Sequence, residues 1–333
     1  MANRRGPLDT LEDMSRLYRA DPETKLAFLR HVESHLTPAA FPPQVIIETT
    51  AACNLRCAHC GHGTMRRAKG HMSMPLYKRI VDEIAETAPH TEVWPTFYGE
   101  AFLLDYRLFY MLRYARQRGL TNLVLNTNGT RITEEVAEWI LDSGLRVIMF
   151  SLDGFTSPTF EAIRCGADRD SVFANIERLL AKKARHRGPT PLVEVQYSMM
   201  DGNEHEVDMF KEYWLSRGAD VKIREKMTWA GRVDAPNLNA QLARVACSWA
   251  VRTCAIHWNG DIVACAVDYE GQFVAGNVRS STIADLWQGQ HRRLETLHLQ
   301  HAFDELPSPC RTCLDWQVGG GAQHFQAETH ARA

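Results

Sequence analysis

The chain has 333 residues, of which 45% are hydrophobic and 23% are charged. This balance is typical of a globular protein with a sizeable core, and it excludes an intrinsically disordered chain. Lys and Arg total 38 against 40 Asp and Glu, and the net charge of −2 argues against a nucleic-acid-binding surface. No apolar run approaches the roughly 20 residues of a membrane helix, and residues 1–20 lack the apolar core of a secretory signal. We therefore expect a cytoplasmic protein with neither a membrane nor a nucleic-acid partner.

Apolar residues recur at helical spacing in the first part of the chain, which predicts helices over residues 8–36. Pro42-Pro43 interrupt this pattern, and short strand-like segments then alternate with amphipathic helix-like segments. The predicted strands are residues 44–49, 92–97, 122–126, 147–151, 192–198 and 221–224. The predicted helices between them are residues 75–87, 106–118, 134–143, 171–183 and 204–217.

This alternation predicts an α/β fold with a parallel sheet that is buried on both faces. Six units predict a partial (β/α)6 TIM-like barrel, with the active site at the carboxyl ends of its strands. Short strands around Gly260 and a helix over residues 283–287 are predicted beyond the barrel. We predict N-terminal helices over 1–42, the barrel over 43–235, a small C-terminal domain over 236–318 and a flexible tail over 319–333.

The nine cysteines indicate metal binding, because the cytosol keeps thiols reduced and clustered cysteines there are typical of metal sites. Cys53, Cys57 and Cys60 lie in a loop directly after the first predicted strand. Three thiolates in a loop can hold a four-iron cubane and leave one iron open for a small molecule. A zinc site is the alternative, with His59 or His62 as its fourth ligand.

A second group of cysteines lies in the last third of the chain and comprises Cys247, Cys254, Cys265, Cys310 and Cys313. A hairpin turn is predicted at Asn259-Gly260-Asp261, and it would deliver the thiol of Cys265. The two-residue spacing of Cys310 and Cys313 is common to zinc and iron–sulfur sites, so the spacing leaves both open. Cys165 stands apart from both groups.

The spacing Cys53-x3-Cys57-x2-Cys60 resembles the signature of the radical S-adenosylmethionine (SAM) superfamily. Further motifs resemble that family in the same order along the chain: Tyr98-Gly99-Glu100, Asn126-Thr127-Asn128-Gly129, Ser151-Leu152-Asp153-Gly154 and Arg164. The resemblance covers residues 44–235 and implies that the three cysteines hold a [4Fe-4S] cluster that binds SAM. It also implies a set of SAM-binding residues, namely Gly99, Glu100, Asn126, Ser151, Arg164 and Ser198. Two positions depart from the family pattern: Ala101 replaces a proline, and His59 replaces an aromatic residue.

The C-terminal segment resembles the SPASM and twitch subfamily through Cys247-x17-Cys265, Gly276-Asn277-Val278, residues 283–287 and Cys310-x2-Cys313. This resemblance implies an auxiliary [4Fe-4S] cluster with Cys247, Cys265, Cys310 and Cys313 as its ligands. No cysteine follows Cys313, so we expect the twitch type with one auxiliary cluster. Cys254 is left with three possible roles: an alternative ligand, a buried apolar residue or a hydrogen-atom donor.

The resemblances imply an oxidoreductase in which cleavage of SAM yields a 5′-deoxyadenosyl radical that takes hydrogen from a small polar substrate. Residues 1–42 are too short for the separate recognition domain of many peptide-modifying members, which favours a small molecule. We expect oxidation of a carbinol of a sugar or aminocyclitol in antibiotic biosynthesis, because an auxiliary cluster gives the electron a destination. A flavodoxin or ferredoxin is the implied electron donor.

The sequence leaves four further functions open. They are epimerisation of an aminoglycoside-type sugar with Cys254 as hydrogen donor, decarboxylation of a sugar acid, modification of a peptide or protein, and a non-catalytic iron–sulfur or zinc protein. The last would need neither Gly99-Glu100 nor Arg164. The candidate catalytic residues are Cys254, Glu194, Lys226 and Asp268, with Gln196 and Arg224 as further polar residues at the predicted barrel mouth.

Overall fold

The structure is a computed structural model that describes residues 20–186, 188, 191–318 and 323–325. Its strands are β1 Gln44–Ile47, β2 Glu92–Trp94, β3 Val124–Thr127, β4 Val147–Ser151, β5 Leu192–Met199, β6 Asp220–Glu225, β7 Thr253–Ile256, β8 Asp261–Val263, β9 Val274–Asn277 and β10 Gln323–Phe325. Its helices are α1 Pro22–Ser34, α2 Met74–Thr87, α3 Tyr106–Gln117, α4 Glu134–Asp142, α5 Ser157–Ile163, α6 Arg169–Lys183, α7 Val207–Ser216, α8 Ser248–Arg252, α9 Ile283–Leu286 and α10 Arg292–Leu299.

Helix α1 begins at a well-formed cap. The Asp21 carboxylate accepts hydrogen bonds from the backbone N–H groups of Glu23 and Thr24, and Pro22 occupies the first turn, where its missing N–H costs nothing. The helix buries Phe28 against a small core that includes Trp316 of the C-terminal segment. Of the helices predicted over 8–36, residues 22–34 are confirmed, and residues 8–19 lie outside the described part of the chain.

Strands β1 to β6 form the predicted partial barrel. They are parallel and follow one another in chain order, through the pairs β1–β2, β3–β4, β4–β5 and β5–β6. A parallel bridge between Val93 and Leu123 connects β2 to the residues that lead into β3. Helices α2, α3, α4, α6 and α7 follow the strands and cover the outer face. The α/β partial barrel predicted from the alternating segments is therefore confirmed.

The two faces of the barrel strands differ in polarity. Because side chains alternate along a strand, one set points to the helices and the other to the barrel interior. The helix-facing set is apolar and belongs to the main core, and it includes Val45, Val93, Leu125, Ile148, Val195, Tyr197, Val221 and Ile223. The interior set is mostly polar, and it includes Gln44, Asn126, Ser151, Gln196, Ser198, Lys222 and Arg224. The barrel interior is consequently more polar than the helix-facing side, with a small apolar cluster around Ile46 and Trp94.

The C-terminal segment continues the barrel sheet at its first edge. Strand β7 pairs in parallel with β1, and β8 and β9 extend the sheet in antiparallel fashion. The hairpin predicted at Asn259-Gly260-Asp261 connects β7 to β8, with Gly260 at φ 100°, a conformation that favours glycine. The domain boundaries at 42, 235 and 318 stay predictions.

Three further differences from the predicted elements follow from tertiary packing. Strand β2 ends at Trp94, three residues earlier than predicted, because the chain turns there towards the cysteine loop. The short helix α5 was not predicted. Strand β10 pairs antiparallel with β6, so residues 323–325 are regular where a flexible tail was expected, and the other residues of the tail lie outside the described part. Within the described residues, none of the helices has the length and apolar character needed to cross a membrane.

Candidate active site

A cavity of about 260 Å³ occupies the barrel lumen and its mouth at the carboxyl ends of the strands. Its wall brings together the three cysteines of the first group: Cys53, Cys57 and Cys60. The same wall contains all six residues expected to bind SAM: Gly99, Glu100, Asn126, Ser151, Arg164 and Ser198. Residues that are up to 145 positions apart in sequence therefore line one space, from Cys53 to Ser198.

The cysteine loop is held in an irregular conformation by the segment that follows α5. The backbone N–H groups of Arg56 and Ala58 donate to the carbonyls of Cys165 and Ile163, at 3.0 and 2.9 Å. Exposed Cys165 thus contributes its backbone to the site. This docking leaves the three thiols free to face the cavity.

The surroundings of these thiols suit an iron–sulfur cluster. The N–H of His62 donates to Cys60 Sγ at 3.4 Å, and Arg164 Nη1 donates to Cys57 Sγ at 3.7 Å. Burial raises the pKa of Cys53, and it raises the pKa of Cys60 to about 11, so these two groups are thiols at neutral pH in the absence of iron. Iron would favour the thiolate, and the N–H donors would stabilise its charge. Three cysteines on one wall therefore fit a cluster with one open iron.

Gly99 allows the loop that follows β2 to approach the cysteine loop. A Cβ atom at this position would lie 2.2 Å from the carbonyl oxygen of Thr50 and 2.5 Å from that of Ala52. The next residue stabilises the contact, because the N–H of Glu100 donates to the same Ala52 carbonyl at 2.8 Å. Only glycine fits this close backbone approach.

The Glu100 carboxylate connects the loop that follows β2 to the end of β3. It accepts from Thr127 Oγ1 at 2.8 Å, from the Asn128 N–H at 2.8 Å and from the Phe102 N–H at 3.1 Å. Burial raises the pKa of Glu100, although these hydrogen bonds favour its ionised form. Much of its accepting capacity is thereby used within the protein, and the residue orders the cavity wall.

Arg164 is oriented by a buried carboxylate. Asp153 is fully buried, accepts a short hydrogen bond from Arg164 Nη2, and lies 3.2 Å from His59 Nε2. Burial opposes ionisation of Asp153, but Arg164 and His59 outweigh it and hold its pKa below the ordinary value. The Arg164 Nε is buried with no partner among the described residues, a donor that suits a carboxylate such as that of SAM.

Polar side chains link the neighbouring strand ends across the lumen. Ser151 Oγ donates to Asn126 Oδ1 at 2.8 Å, and Gln196 Nε2 lies 3.4 Å from Ser151 Oγ. Arg224 Nε donates to Ser198 Oγ at 3.1 Å. This row of hydroxyl, amide and guanidinium groups can hydrogen-bond the ribose, carboxylate or substrate oxygens.

A second, smaller cavity lies beside the first. Its wall contains the four predicted auxiliary ligands, Cys247, Cys265, Cys310 and Cys313. Backbone N–H groups donate to two of these sulfurs, from Val267 to Cys265 Sγ at 3.4 Å and from Asp315 to Cys313 Sγ at 3.3 Å. Burial raises the pKa of all four thiols. Four cysteines around one space, with N–H donors to sulfur, fit a fully ligated iron–sulfur cluster.

The two cavities share part of their walls. Trp249 and Val267 line both, so their side chains separate the predicted SAM-binding site from the predicted auxiliary site. The hydroxyl of Tyr98, beside Gly99, makes a short hydrogen bond to the Ala266 carbonyl in the same region. The two predicted cluster sites are therefore neighbours.

The four candidate catalytic residues lie outside the lumen wall. Cys254 is fully buried in the main core, on the face of β7 opposite to the lumen, because it pairs with Val45 and not with Ile46. Asp268 accepts from the N–H groups of Gln272 and Phe273 at 2.8 and 3.0 Å and so orders a turn. Burial raises its pKa.

Glu194 and Lys226 flank the lumen without lining it. Glu194 is buried on β5, two residues before Gln196, and Lys226 follows the end of β6. The remaining two polar candidates, Gln196 and Arg224, do line the lumen.

The main lumen residue that the sequence reasoning missed is Lys222. It lies on β6 in register with Gln196, and it shares the inner face of that strand with Arg224. Its position two residues before Arg224 could have revealed it, because every second side chain of a strand lies on the same face of the sheet. Trp94 and Trp229 also line the lumen and were not singled out.

Comparison with known families agrees with the geometry. The model of the radical SAM superfamily matches residues 47–211, and that of the SPASM iron–sulfur cluster-binding domain matches residues 247–314. A curated relative from Pyrococcus furiosus, the tungsten-containing aldehyde ferredoxin oxidoreductase cofactor-modifying protein, is 23% identical over 290 residues. That match covers 73% of this chain and 80% of the relative.

Solved structures share the fold. The structure of BtrN in complex with AdoMet and 2-DOIA matches with a TM-score of 0.58 at 17% identity, over 83% of this chain and 94% of that one. The structure of Streptococcus suis SuiB bound to precursor peptide SuiA matches with a TM-score of 0.64 at 12% identity, over 90% and 74% of the two chains.

The family matches and the two cysteine-lined cavities bear on the same conclusion about cofactors. Radical SAM and SPASM domains imply a SAM-binding [4Fe-4S] cluster, an auxiliary iron–sulfur cluster and SAM itself. Cys53, Cys57 and Cys60 would hold the first cluster, and the cysteines of the smaller cavity would hold the second. The chain belongs to the radical SAM superfamily and is a radical SAM enzyme with a C-terminal SPASM domain.

Proposed function

We propose that the enzyme oxidises a carbinol of a small polar substrate, a sugar or aminocyclitol, to a carbonyl. The observation that carries this proposal is the wall shared by the lumen and the four-cysteine cavity. Trp249 and Val267 form this wall, so a substrate in the lumen would lie next to the site of an electron acceptor. That arrangement is suited to the removal of one electron from the substrate.

Oxidation of the carbinol removes a hydrogen atom, a proton and an electron in total. When bound, SAM and the first cluster supply a 5′-deoxyadenosyl radical for the hydrogen atom, and the auxiliary cluster supplies an acceptor for the electron. Arg164, Ser151 and Asn126 would hold SAM, and the lumen would present the substrate to it. The hydroxyl proton goes to a base, and the carbon–oxygen double bond forms from the remaining electrons.

The lining of the lumen supports a small, hydroxylated substrate. Amide and hydroxyl groups of Gln44, Gln196 and Thr96 can bond to ring hydroxyls, while Trp94 and Phe97 offer flat faces to the carbon skeleton. A neighbour in fold, BtrN, was solved with a small molecule, 2-DOIA, whereas SuiB was solved with a precursor peptide. The confined lumen, with its amide and hydroxyl groups, favours the former class, and a peptide is the second candidate.

Epimerisation, decarboxylation and a non-catalytic role have less support. Epimerisation with Cys254 as hydrogen donor would need its thiol at the substrate, yet Cys254 faces the main core on the far side of β7. Redox-neutral decarboxylation of a sugar acid would not use an adjoining electron acceptor. A non-catalytic protein is set aside by membership of the radical SAM family. The proposal includes a cytoplasmic location and a flavodoxin or ferredoxin donor, in keeping with nine free cysteines.

A deuterium-transfer experiment tests the proposal. Anaerobic enzyme with SAM and dithionite is incubated with hexoses, hexuronates and aminocyclitols that carry deuterium at their carbinol carbons. We expect deuterium in 5′-deoxyadenosine and an equal amount of carbonyl product from one class. Formation of an epimer in place of the carbonyl product would contradict the proposal. So would a reaction with peptides and with none of the small molecules.

A Cys265→Ala variant isolates the role of the auxiliary site. We expect it to retain deuterium transfer to 5′-deoxyadenosine but to lose the carbonyl product, because the electron has no acceptor. The matched control is Cys165→Ala, whose thiol is exposed and outside both cavities. Carbonyl formation by Cys265→Ala at the rate of the control would show that the auxiliary cluster is not the acceptor.

A further inference from the structure

Lys222 places an ammonium group inside the barrel lumen. It lies in the middle of β6, pairs in register with Gln196 of β5, and lines the cavity together with Trp94. The side chain is half-buried. Ammonium groups in such positions are normally paired, because a desolvated charge without a partner is costly.

Among the residues whose side chains the structure describes, the ammonium of Lys222 has poor partners. It donates a long hydrogen bond to the thioether Sδ of Met149 at 3.9 Å, and the ring of Trp94 lies 5.6 Å away. Among the described residues no carboxylate lies within ion-pair distance of Lys222, whereas Arg164 has Asp153 and Arg224 bonds to Ser198. The described residues therefore offer the three N–H donors of Lys222 only a weak acceptor.

The surrounding carboxylates do not replace such a partner. Glu92 favours the charge of Lys222 from a distance, but its oxygens already accept from Gln44, from the Trp94 indole and from Arg146. Glu194 also favours that charge, but it does not line the cavity.

Two other effects oppose the charge on Lys222. Burial lowers the pKa of Lys222, and the nearby Arg224 guanidinium lowers it further. An anion bound in the lumen would supply a strong acceptor and would favour the charged form.

We propose that the substrate carries an anionic oxygen group, a carboxylate or a phosphate, and that Lys222 binds this group in the lumen. This proposal rests on the proposed function, which takes the substrate to be a sugar or aminocyclitol, and it narrows that class to anionic sugars. A sugar acid or sugar phosphate satisfies the three ammonium donors, whereas the amine of an aminocyclitol beside Lys222 would be repelled. Trp94 would stack against the carbon face of the same ring.

Equilibrium dialysis of the reconstituted enzyme with SAM, anaerobic and without reductant, tests the proposal. The probes are D-glucuronate, D-glucose 6-phosphate, D-glucose and D-glucosamine, which share one ring and differ in charge. We expect one of the two anionic sugars to bind at least about tenfold more tightly than glucose and glucosamine, the gain from one charge-assisted hydrogen bond. The anionic sugar with the higher affinity shows whether Lys222 prefers a carboxylate or a phosphate.

Variants assign the preference to Lys222. Lys222→Met should bind all four probes with similar affinity, and Lys222→Arg should keep the preference for the anion. The matched control is Lys211→Met, which removes an ammonium from the outer helix α7 and should behave as wild type. Iron content and SAM binding establish that each variant is folded.

Equal binding of all four probes, tighter binding of glucosamine, or binding of none by the wild type would overturn the proposal. So would an anion preference that survives in Lys222→Met. Because no reductant is present, failure of carbinol oxidation leaves this measurement unaffected. Conversely, oxidation of a neutral sugar by the enzyme would uphold the proposed function while overturning the role of Lys222.

Discussion

Single residues decide whether the lumen wall with the predicted SAM-binding residues can form. Gly99 lets two backbone segments approach, and Glu100 then bonds to three donors around the same point. Asp153 orients Arg164 and contacts His59, the residue that precedes the last cysteine of the loop. Each of these contacts depends on one or two side chains, so each can be tested by one substitution.

The substitution Gly99→Ala tests the close approach. We expect it to lower the free energy of unfolding by about 1–3 kcal/mol, because the added Cβ would overlap two backbone carbonyl oxygens that cannot rotate away. Urea denaturation of the anaerobic protein measures the change. The control is Gly63→Ala in the same region, where a Cβ has open space, with an expected change of less than about 0.5 kcal/mol. Equal stability of the two variants would show that the backbone adjusts.

At the scale of elements, the loops at the strand ends are held by carboxylates. Glu206, just before α7, accepts from the N–H groups of Phe155 and Thr156 and from the hydroxyls of Thr156 and Thr159. These groups lie between β4 and α5 or in the first turn of α5, so a residue that follows β5 holds the loop that follows β4. Asp153, within the same loop, is thereby kept in place for Arg164.

The pH dependence of unfolding tests the role of Glu206. Burial alone would raise its pKa, but hydrogen bonds from Thr156, Phe155 and Thr159 outweigh this and lower it from the ordinary 4.5. Because the pKa of Glu206 is lower in the folded state, the carboxylate stabilises the fold at a pH above its pKa in the unfolded state. This stability is lost as the pH falls through its pKa in the folded state.

We expect Glu206→Gln to be less stable than wild type by about 1.5–3 kcal/mol at pH 7, because charged hydrogen bonds are lost. The difference should shrink as the pH falls below about 4.5. Urea denaturation across this pH range measures it, with Glu212→Gln on the exposed side of α7 as the control. If the difference in unfolding free energy between Glu206→Gln and wild type stays constant with pH, the destabilisation comes from altered packing and not from the lost charge.

At the scale of the whole molecule, the C-terminal strands β7, β8 and β9 share a five-stranded sheet with β1 and β2 of the barrel. Strand β7 pairs with β1, and Arg67 makes short hydrogen bonds both to Glu48, after β1, and to the carbonyl of Tyr269. Glu48 in turn accepts from the N–H of Trp258 at 3.0 Å. This continuity holds the auxiliary cysteines beside the lumen.

Iron counting tests whether both sites carry clusters. Anaerobically purified wild type should contain about eight irons per chain, and the triple variant Cys53/Cys57/Cys60→Ala about four. Cys165→Ala, outside both cavities, should match the wild type. About four irons in the wild type and none in the triple variant would leave the C-terminal cysteines without a cluster, and would remove the proposed electron acceptor.

The sequence by itself determined the family, the cofactors and the barrel, because these depend on local patterns. Ligand spacing such as Cys53-x3-Cys57-x2-Cys60 lies within one loop, and the alternation of strands and helices is set by periodicity along the chain. The six SAM-binding candidates and the four auxiliary cysteines lie at strand ends or in short motifs, and the structure brings each set to one cavity.

Only the tertiary structure decided which polar side chains face the lumen. Lys222 and Lys226 look alike in sequence, yet strand pairing puts Lys222 in the lumen and leaves Lys226 beyond its wall. Likewise, pairing of β7 with β1 turns Cys254 to the core, and strand β10 forms only because β6 offers it an edge. These outcomes depend on contacts between residues far apart in sequence, which no local pattern records.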